Sequence, residues 1–191
     1  SFGPGAPSAR GNKLRVPLPA VGSSNEEINA VRGIGDQYAL TLRHHDDALH
    51  ARYAPNGGPA QEMFQWIEEA RVAAIGSLRM EGVAQNLDAR LEVQCKQAAF
   101  DTITAETEAP LSVAVGLLVR QELTGRPLPP SAENVVRFWR DHIESHAGDA
   151  IRGLKSSIGD QAEFATLCRN IIADLGMAAD MDDPQDGDTN Q

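Results

Sequence analysis

Residues 61–91 read QEMFQWIEEARVAAIGSLRMEGVAQNLDARL, a stretch without proline whose apolar residues recur with a helical period. At about 100° per residue, these positions form one stripe that is wide enough to be the core face of a helix. The stripe consists of Phe64, Ile67, Ala74, Ile75, Leu78 and Gly82. Beyond Gly82 the apolar positions lie on another side, which predicts either a bend at this glycine or a change of neighbouring element.

A second helix is predicted before this stretch. Ser24 and Glu27 have the spacing of a capping box, so the helix is expected to begin near residue 25. It is expected to end at the turn sequence PNGGP, residues 55–59, which connects it to the following helix. The two helices are therefore predicted to form a long antiparallel hairpin.

Arg71 lies near the centre of the apolar stripe. A guanidinium on a buried face needs a carboxylate, a carbonyl or a ligand to pair with. Folding the chain about Gly57 places Asp46 level with residue 68, and helical side chains lean toward the N-terminus of their own helix. We therefore predict a structural ion pair between Asp46 and Arg71 that fixes the register of the hairpin.

Three further helices are predicted downstream. Their boundary residues are Pro110 and Gly125, Ser131 and Gly148, and Asp160 and Gly176. The predicted fold is all-α, an irregular multi-helix bundle built on the long antiparallel hairpin, and no strand is predicted. Three divisions are expected: an extended arm rich in proline and glycine over 1–22, a helical domain over 23–176 and an acidic disordered linker over 177–191.

Composition restricts the classes of function. With 191 residues the chain can bury a sizeable core as one domain, and its formal net charge of −10 argues against nucleic-acid and anionic-membrane surfaces. No apolar run approaches the roughly 20 residues that span a bilayer. Cys95 and Cys168 lack metal-site spacing and are predicted to be reduced core residues of a cytoplasmic protein. The missing initiator methionine and the linker-like ends predict a piece of a longer protein.

The sequence RHHDDALH, residues 43–50, suggests a metal site because it clusters histidine with aspartate. On one helix, however, His44 and His50 would project about 120° apart, and His45 and His50 about 140° apart. These side chains could not converge on one ion without unwinding the helix. His45 and His50 are therefore interpreted as a polar cluster at the edge of the core, with a partner-contact surface and a metal site as the alternatives.

The remaining motifs do not match a known reaction centre. His142 and His146 have the spacing of a zincin pair, but the glutamate between them is displaced by one position. Histidine is also favoured in the last turn of a helix by the helix dipole, which is the simpler interpretation. We find no nucleophile elbow, dinucleotide fingerprint or phosphate loop in the sequence. No catalytic, cofactor-binding or metal-binding residue is therefore assigned from these motifs.

Several stretches of the sequence are distinctive when they are taken together. They are Arg32-Gly33 with Asp36 and Ala39-Leu40, His45-Asp46 with His50-Ala51-Arg52 and Pro55, EEARVAAIGSLRMEGVAQNL at 68–87, PLSVAVGLLVRQELTGRPLPP at 110–130, and the strap from Pro17 to Pro19. Together they resemble the CobT family of aerobic cobaltochelatase subunits. The likeness covers nearly the whole chain and keeps the order and spacing of these stretches.

The resemblance implies a subunit of a three-part ligase that inserts Co²⁺ into hydrogenobyrinic acid a,c-diamide during cobalamin synthesis. Such a complex would use ATP, Mg²⁺ and Co²⁺, and the implied partners are an AAA+ ATPase subunit and a large corrinoid-binding subunit. The family's C-terminal von Willebrand factor A domain is expected to lie outside these residues. The helical region is then expected to be a non-catalytic assembly or regulatory domain, without ATP, corrinoid or cobalt ligands of its own.

Two readings of other classes remain. A cobalt-binding or delivery module would use the histidine clusters at His44–His50 or His142–His146. An enzyme in its own right would need a convergent pocket with perturbed titrating groups.

Overall fold

The computed structural model describes residues 2–3, 8–10, 13–17 and 19–180. These ranges contain seven α-helices and three short strands. The helices are α1 (Asn25–His44), α2 (Asp47–Tyr53), α3 (Gly58–Ser77), α4 (Glu81–Gln97), α5 (Leu111–Thr124), α6 (Glu133–Gly153) and α7 (Gln161–Ile172). The strands are β1 (Phe2–Gly3), β2 (Ser8–Arg10) and β3 (Lys13–Pro17). The all-α fold class is confirmed.

Short 3₁₀ and π turns connect or extend these helices. They are Phe100–Thr102, Glu106–Glu108, Pro130–Ala132, Leu154–Ser157, Ala173–Met177 and Ala178–Asp180. Of the predicted acidic linker at 177–191, residues 181–191 lie outside the described part of the chain.

The predicted long antiparallel hairpin is present, but each of its two arms is divided into two helices. The first arm breaks at His45 and Asp46, whose backbones are extended, and Asp46 then accepts hydrogen bonds from the Ala48 and Leu49 amides to cap α2. The second arm breaks between α3 and α4, where the extended residue is Met80 and not the predicted Gly82. Gly82 lies inside the first turn of α4.

The register of the hairpin follows from contacts along its length. His50 of α2 stacks on Phe64 near the start of α3, with ring centroids 5.0 Å apart. Further along, Asp36 of α1 accepts a 2.8 Å hydrogen bond from Asn86 of α4. Residues of increasing number on the first arm therefore contact residues of decreasing number on the second, as in an antiparallel hairpin. Gly33 brings the arms closest together, because a side chain there would meet the Asn86 carbonyl oxygen and Arg90 Cβ.

The main core surrounds α3, which packs chiefly on α5, while α4 packs chiefly on α1. Buried side chains of α3 face several neighbours, as expected for a central helix. Gly116 of α5 gives Trp66 of α3 room for close contact, since a Cβ at Gly116 would overlap Trp66 Cβ. The predicted change of neighbour along residues 61–91 thus takes place at the break between α3 and α4.

The downstream helices confirm some predicted ends and correct others. Gly125 ends α5 in the left-handed conformation with φ of 68°, and Asp160 caps α7 through its Oδ1. Ser131 does not cap α6. Its amide and hydroxyl instead donate to Glu92 of α4, at 3.1 and 2.6 Å. Helix α6 begins at Glu133, and it continues past the predicted end at Gly148.

The described residues of the N-terminal arm form a small sheet in the order β1-β3-β2, which the sequence did not predict. β1 pairs with β3 in parallel, and β2 pairs with β3 in antiparallel orientation. Val16 of β3 is buried, and β3 lies against α1. The arm therefore packs on the helical body through its last strand.

We predict that Gly33→Ala lowers the free energy of unfolding by about 1–3 kcal/mol, because the added methyl group would force the two arms of the hairpin apart. Gly35 is the matched control. It lies on the same helix with open space around it, so Gly35→Ala is expected to raise stability by up to about 1 kcal/mol. Urea unfolding followed by circular dichroism measures both. Equal effects in the two variants would contradict the close approach at Gly33.

Candidate functional site

The most buried charged group in the described helices is Arg71, whose side chain is 2% exposed. Its Nε and Nη2 each donate to a different oxygen of Glu68, one turn earlier on α3, and both distances are 2.7 Å. Nη2 also donates to the His44 carbonyl oxygen at 2.6 Å, and Nη1 donates to the Ile158 carbonyl oxygen at 3.2 Å. One guanidinium thereby connects α3 to the end of α1 and to the segment before α7.

Glu68 is buried beside Arg71 and has a second partner on the first arm. His45 Nδ1 lies 2.7 Å from Glu68 Oε1. Because an ionised carboxylate only accepts hydrogen bonds, His45 carries a proton on Nδ1. The other ring nitrogen, Nε2, lies 3.4 Å from Asp47. The His45 ring therefore lies between a buried carboxylate and an exposed one.

Gln161, the first residue of α7, completes the arrangement. Its side-chain Nε2 donates to the Asp46 backbone carbonyl oxygen at 2.9 Å, and its Oε1 accepts from the Asp46 backbone amide at 2.8 Å. The same Oε1 lies 3.3 Å from Arg71 Nη2. We call His45, Glu68, Arg71 and Gln161 the buried charge network.

The structure corrects the predicted partner of Arg71. The carboxylate paired with Arg71 is Glu68, while the Asp46 carboxylate caps α2 and only the Asp46 backbone joins the network, through Gln161. The physical reason is the break at residues 45–46, which extends the backbone there and turns the Asp46 side chain toward the amides of α2. The predicted register is nearly right, because residue 45 contacts residue 68.

His50 lies at the edge of the core, against the rings of His45 and Phe64. Burial lowers the pKa of His50, and the neighbouring His45 lowers it further, whereas Glu68 and Asp47 oppose the shift. His50 Nδ1 is buried and has no hydrogen-bond partner within the described ranges. The structure therefore brings His45 and His50 together as a polar cluster on the core side of α2.

A second ionic cluster, which the sequence analysis missed, joins α4 to α5. Asp88 accepts hydrogen bonds from Arg120, which is buried, and from Arg126 Nε at 2.6 Å. Arg120 also donates to the Pro127 carbonyl oxygen at 3.1 Å. This cluster holds the proline-rich connector against α4. Cys95 lies buried nearby, and burial raises the pKa of its thiol to about 12.

The histidines do not assemble a metal centre in the described part of the chain. No group of three or more His, Cys, Asp or Glu side chains there is placed to hold a metal ion. The His142 and His146 rings lie 4.4 Å apart, and His146 Nδ1 lies 2.8 Å from the His142 carbonyl oxygen, so it donates to the backbone. This pair offers a metal two ligands at most, which is short of a tight site.

An open cleft of about 540 Å³ lies directly over the buried charge network. We call it the basic cleft and define it by Arg43, His44, Arg71, Ile75, Leu78 and Arg79. Arg71 forms its floor, and Arg43 and Arg79 stand exposed at its rim. Burial, followed by the positive charges of Arg79, Arg43 and Arg71, lowers the pKa of His44. Three arginines therefore lie around His44 in this cleft, although the chain as a whole is acidic.

Comparison with known proteins identifies the family. The family model described as cobalamin biosynthesis protein CobT matches residues 1–191. The chain belongs to the CobT family. This membership confirms the resemblance seen in the sequence and gives the chain a role in cobalamin biosynthesis. No solved structure matches this chain.

In this CobT chain, the buried charged side chains of α3 and α5 lie at helix junctions. Glu68, Arg71 and Arg120 are buried. Glu68 accepts from Arg71 on the same helix, and the two arginines also donate to backbone carbonyl oxygens outside their own helices. Among the helices of the described ranges, none combines the length and apolar character needed to cross a bilayer.

We predict that Arg71→Ala lowers the free energy of unfolding by roughly 3–5 kcal/mol, because it leaves the Glu68 carboxylate buried without its guanidinium. Asp46→Ala should cost only about 1 kcal/mol, the usual value for a lost helix N-cap. Denaturant titration of the two variants compares these roles directly. A loss for Asp46→Ala as large as that for Arg71→Ala would restore the ion pair predicted from the sequence.

The lowered pKa of His50 predicts a pH dependence of stability. Between its ordinary value near 6.5 and its lower value in the folded chain, the unfolded state binds the proton more readily. The free energy of unfolding should therefore fall as pH decreases below about 6.5. His50→Phe keeps an aromatic ring against Phe64 and removes the titration. Urea titrations at neutral and mildly acidic pH should give a smaller loss for this variant, and an unchanged loss would contradict the assignment.

Proposed function

We propose that this helical region is a non-catalytic assembly or regulatory domain of the ATP-dependent cobaltochelatase, which inserts Co²⁺ into hydrogenobyrinic acid a,c-diamide in aerobic cobalamin biosynthesis. Membership of the CobT family supports the pathway. The proposed partners are the AAA+ ATPase subunit and the large corrinoid-binding subunit. ATP, Mg²⁺ and the Co²⁺ substrate would be bound by those subunits, and no step of the chemistry is assigned to the residues described above.

The observation that carries this proposal is that the buried charged side chains make their hydrogen bonds within the fold. A catalytic acid or base has to reach a substrate, whereas Glu68 and Arg71 spend their hydrogen bonds on each other and on the ends of neighbouring helices. Arg120 is likewise bonded to Asp88 and to the connector at Pro127. These contacts hold helix junctions in place, which is what a rigid docking platform requires.

The surface around the basic cleft supports a docking role. Leu42 and Leu78 are 53% and 55% exposed, and Met80 is 48% exposed. Leu78 lines the cleft, and Leu42 and Met80 are the sequence neighbours of the rim residues Arg43 and Arg79. Exposed apolar residues grouped next to arginine are typical of protein interfaces.

The alternative is a cobalt-binding or delivery module that uses the histidine clusters. It has weaker support, because His45 is committed to Glu68, His50 faces the core, and His142 and His146 make only a pair. Isothermal titration calorimetry separates the two functions. Micromolar binding of Co²⁺ that is lost in His50→Ala would favour delivery and count against a purely structural use of this histidine.

The assembly function predicts that this chain co-sediments with the purified AAA+ subunit, and the experiment compares samples with and without ATP. Arg71→Lys is expected to keep the complex only if the variant still folds. Circular dichroism of that variant is recorded in parallel to establish whether it does. The large corrinoid-binding subunit is tested in the same way. Failure to bind either subunit, with the fold intact, would remove the assembly function from these helices.

A further inference from the structure

The two rim arginines of the basic cleft are not used by the fold. Arg43, in the last turn of α1, and Arg79, between α3 and α4, are exposed and make no ion pair with any residue in the described ranges. Arg71 below them is saturated by hydrogen bonds. The two guanidiniums at the rim thus keep their donors available for a ligand.

The charges that face these arginines do not neutralise the cleft. Glu68 lies beneath the floor and balances Arg71. Asp46 lines the cleft, but its Oδ1 accepts from two amides of α2, and Asp47 lies next to His45. With Arg43, Arg71 and Arg79 counted against Asp46 and Glu68, the cleft and its floor keep one surplus positive charge in a chain whose formal net charge is −10. Such a local surplus attracts carboxylates and orients their approach.

One side of the cleft carries aliphatic side chains among its polar lining, which favours a protein segment over a small free anion. Leu78 lines the cleft and is more than half exposed, and Ile75 lies beside it at the base of the same wall. Guanidiniums next to exposed aliphatic side chains suit a peptide that alternates acidic and apolar residues.

We propose that the basic cleft binds an acidic segment of a partner protein, with carboxylates paired to Arg43 and Arg79 and an apolar side chain placed on Leu78. The choice of a chelatase subunit as that partner rests on the proposed assembly function, whereas the requirement for carboxylates does not. The positive charge of the rim arginines and the exposed aliphatic side chain of Leu78 support an acidic protein segment as the ligand.

The first test measures fluorescence anisotropy of a short capped peptide in which glutamates flank a leucine, with the full chain as receptor. We expect saturable binding that weakens as salt is added, and no binding of the same peptide with glutamine in place of glutamate. The double variant Arg43→Glu/Arg79→Glu should lose about tenfold or more in affinity. Salt-independent binding, or binding unchanged in the double variant, would overturn the proposal.

Arg32→Glu is the matched control. Arg32 is exposed on the same helix about 16 Å before Arg43, and it also has no ion pair within the described ranges. This variant changes the net charge in the same direction without touching the cleft, so affinity should stay close to that of the original chain. Arg43→Lys/Arg79→Lys should keep part of the affinity, since lysine retains the charge but not the planar fork. Equal losses in Arg32→Glu and in a single cleft variant, Arg43→Glu, would mean that only net charge matters.

The chain's own acidic residues are a different occupant that the same assay detects. A variant of the same 191-residue chain with Asp182→Asn, Asp183→Asn, Asp186→Asn and Asp188→Asn removes that competitor. Unchanged peptide affinity in this variant supports a partner segment. Markedly tighter binding would assign the cleft to the chain's own acidic segment and overturn the proposal.

Co-sedimentation of the charge-reversed chain separates this inference from the assembly function. If the original chain binds a chelatase subunit and Arg43→Glu/Arg79→Glu does not, both proposals are supported. If both chains bind equally, the assembly function stands and the cleft is excluded as the contact. If neither subunit binds the original chain although the peptide does so through the arginines, the assembly function fails and the acidic-segment site stands.

Discussion

A guanidinium in the middle of the core is the constraint on which the rest of this structure depends. Arg71 cannot be buried without hydrogen-bond acceptors, and α3 supplies only one of them, Glu68. The remaining acceptors are the His44 and Ile158 carbonyl oxygens, at places where the chain leaves a helix or 3₁₀ turn, and the side-chain oxygen of Gln161. The His44 carbonyl lies at the end of α1, where no intrahelical amide can reach it. The same contact thus satisfies the arginine and the end of a helix.

This constraint explains which features the sequence could predict. Capping at Ser24 and Asp160, the antiparallel hairpin and its register are local or periodic signals, and the structure has them. The sequence also predicted that Arg71 needs a partner, but it did not identify that partner. Glu68 stands three residues earlier on the same helix and was a visible candidate, whereas Gln161 is ninety positions further along the chain and no periodic signal connects the two.

The helix breaks were the features that periodicity could not resolve. RHHDDALH continues a helical pattern on both sides, and tertiary contacts hold the extended backbone at residues 45–46. Arg71 donates to the His44 carbonyl, and Gln161 bonds the Asp46 backbone. Asp46 was predicted to pair with Arg71 because an unbroken hairpin folded about Gly57 places it level with residue 68. Once the helix ends at His44, the nearest unsatisfied donors are the amides of α2, and a short acidic side chain caps them.

The same breaks create the surface that is open to a partner. Arg43 stands in the last turn of α1 and Arg79 in the interruption between α3 and α4, so each rim arginine belongs to one arm of the hairpin where that arm changes direction. Two unbroken helices would carry these residues along a continuous packed seam, without a cleft between them. Arg71 fixes the positions of the chain around the cleft by bonding the His44 and Ile158 carbonyls beneath it. The buried arginine therefore provides a rigid floor, and the fold fixes the backbones of Arg43 and Arg79, so a ligand has to order only their side chains.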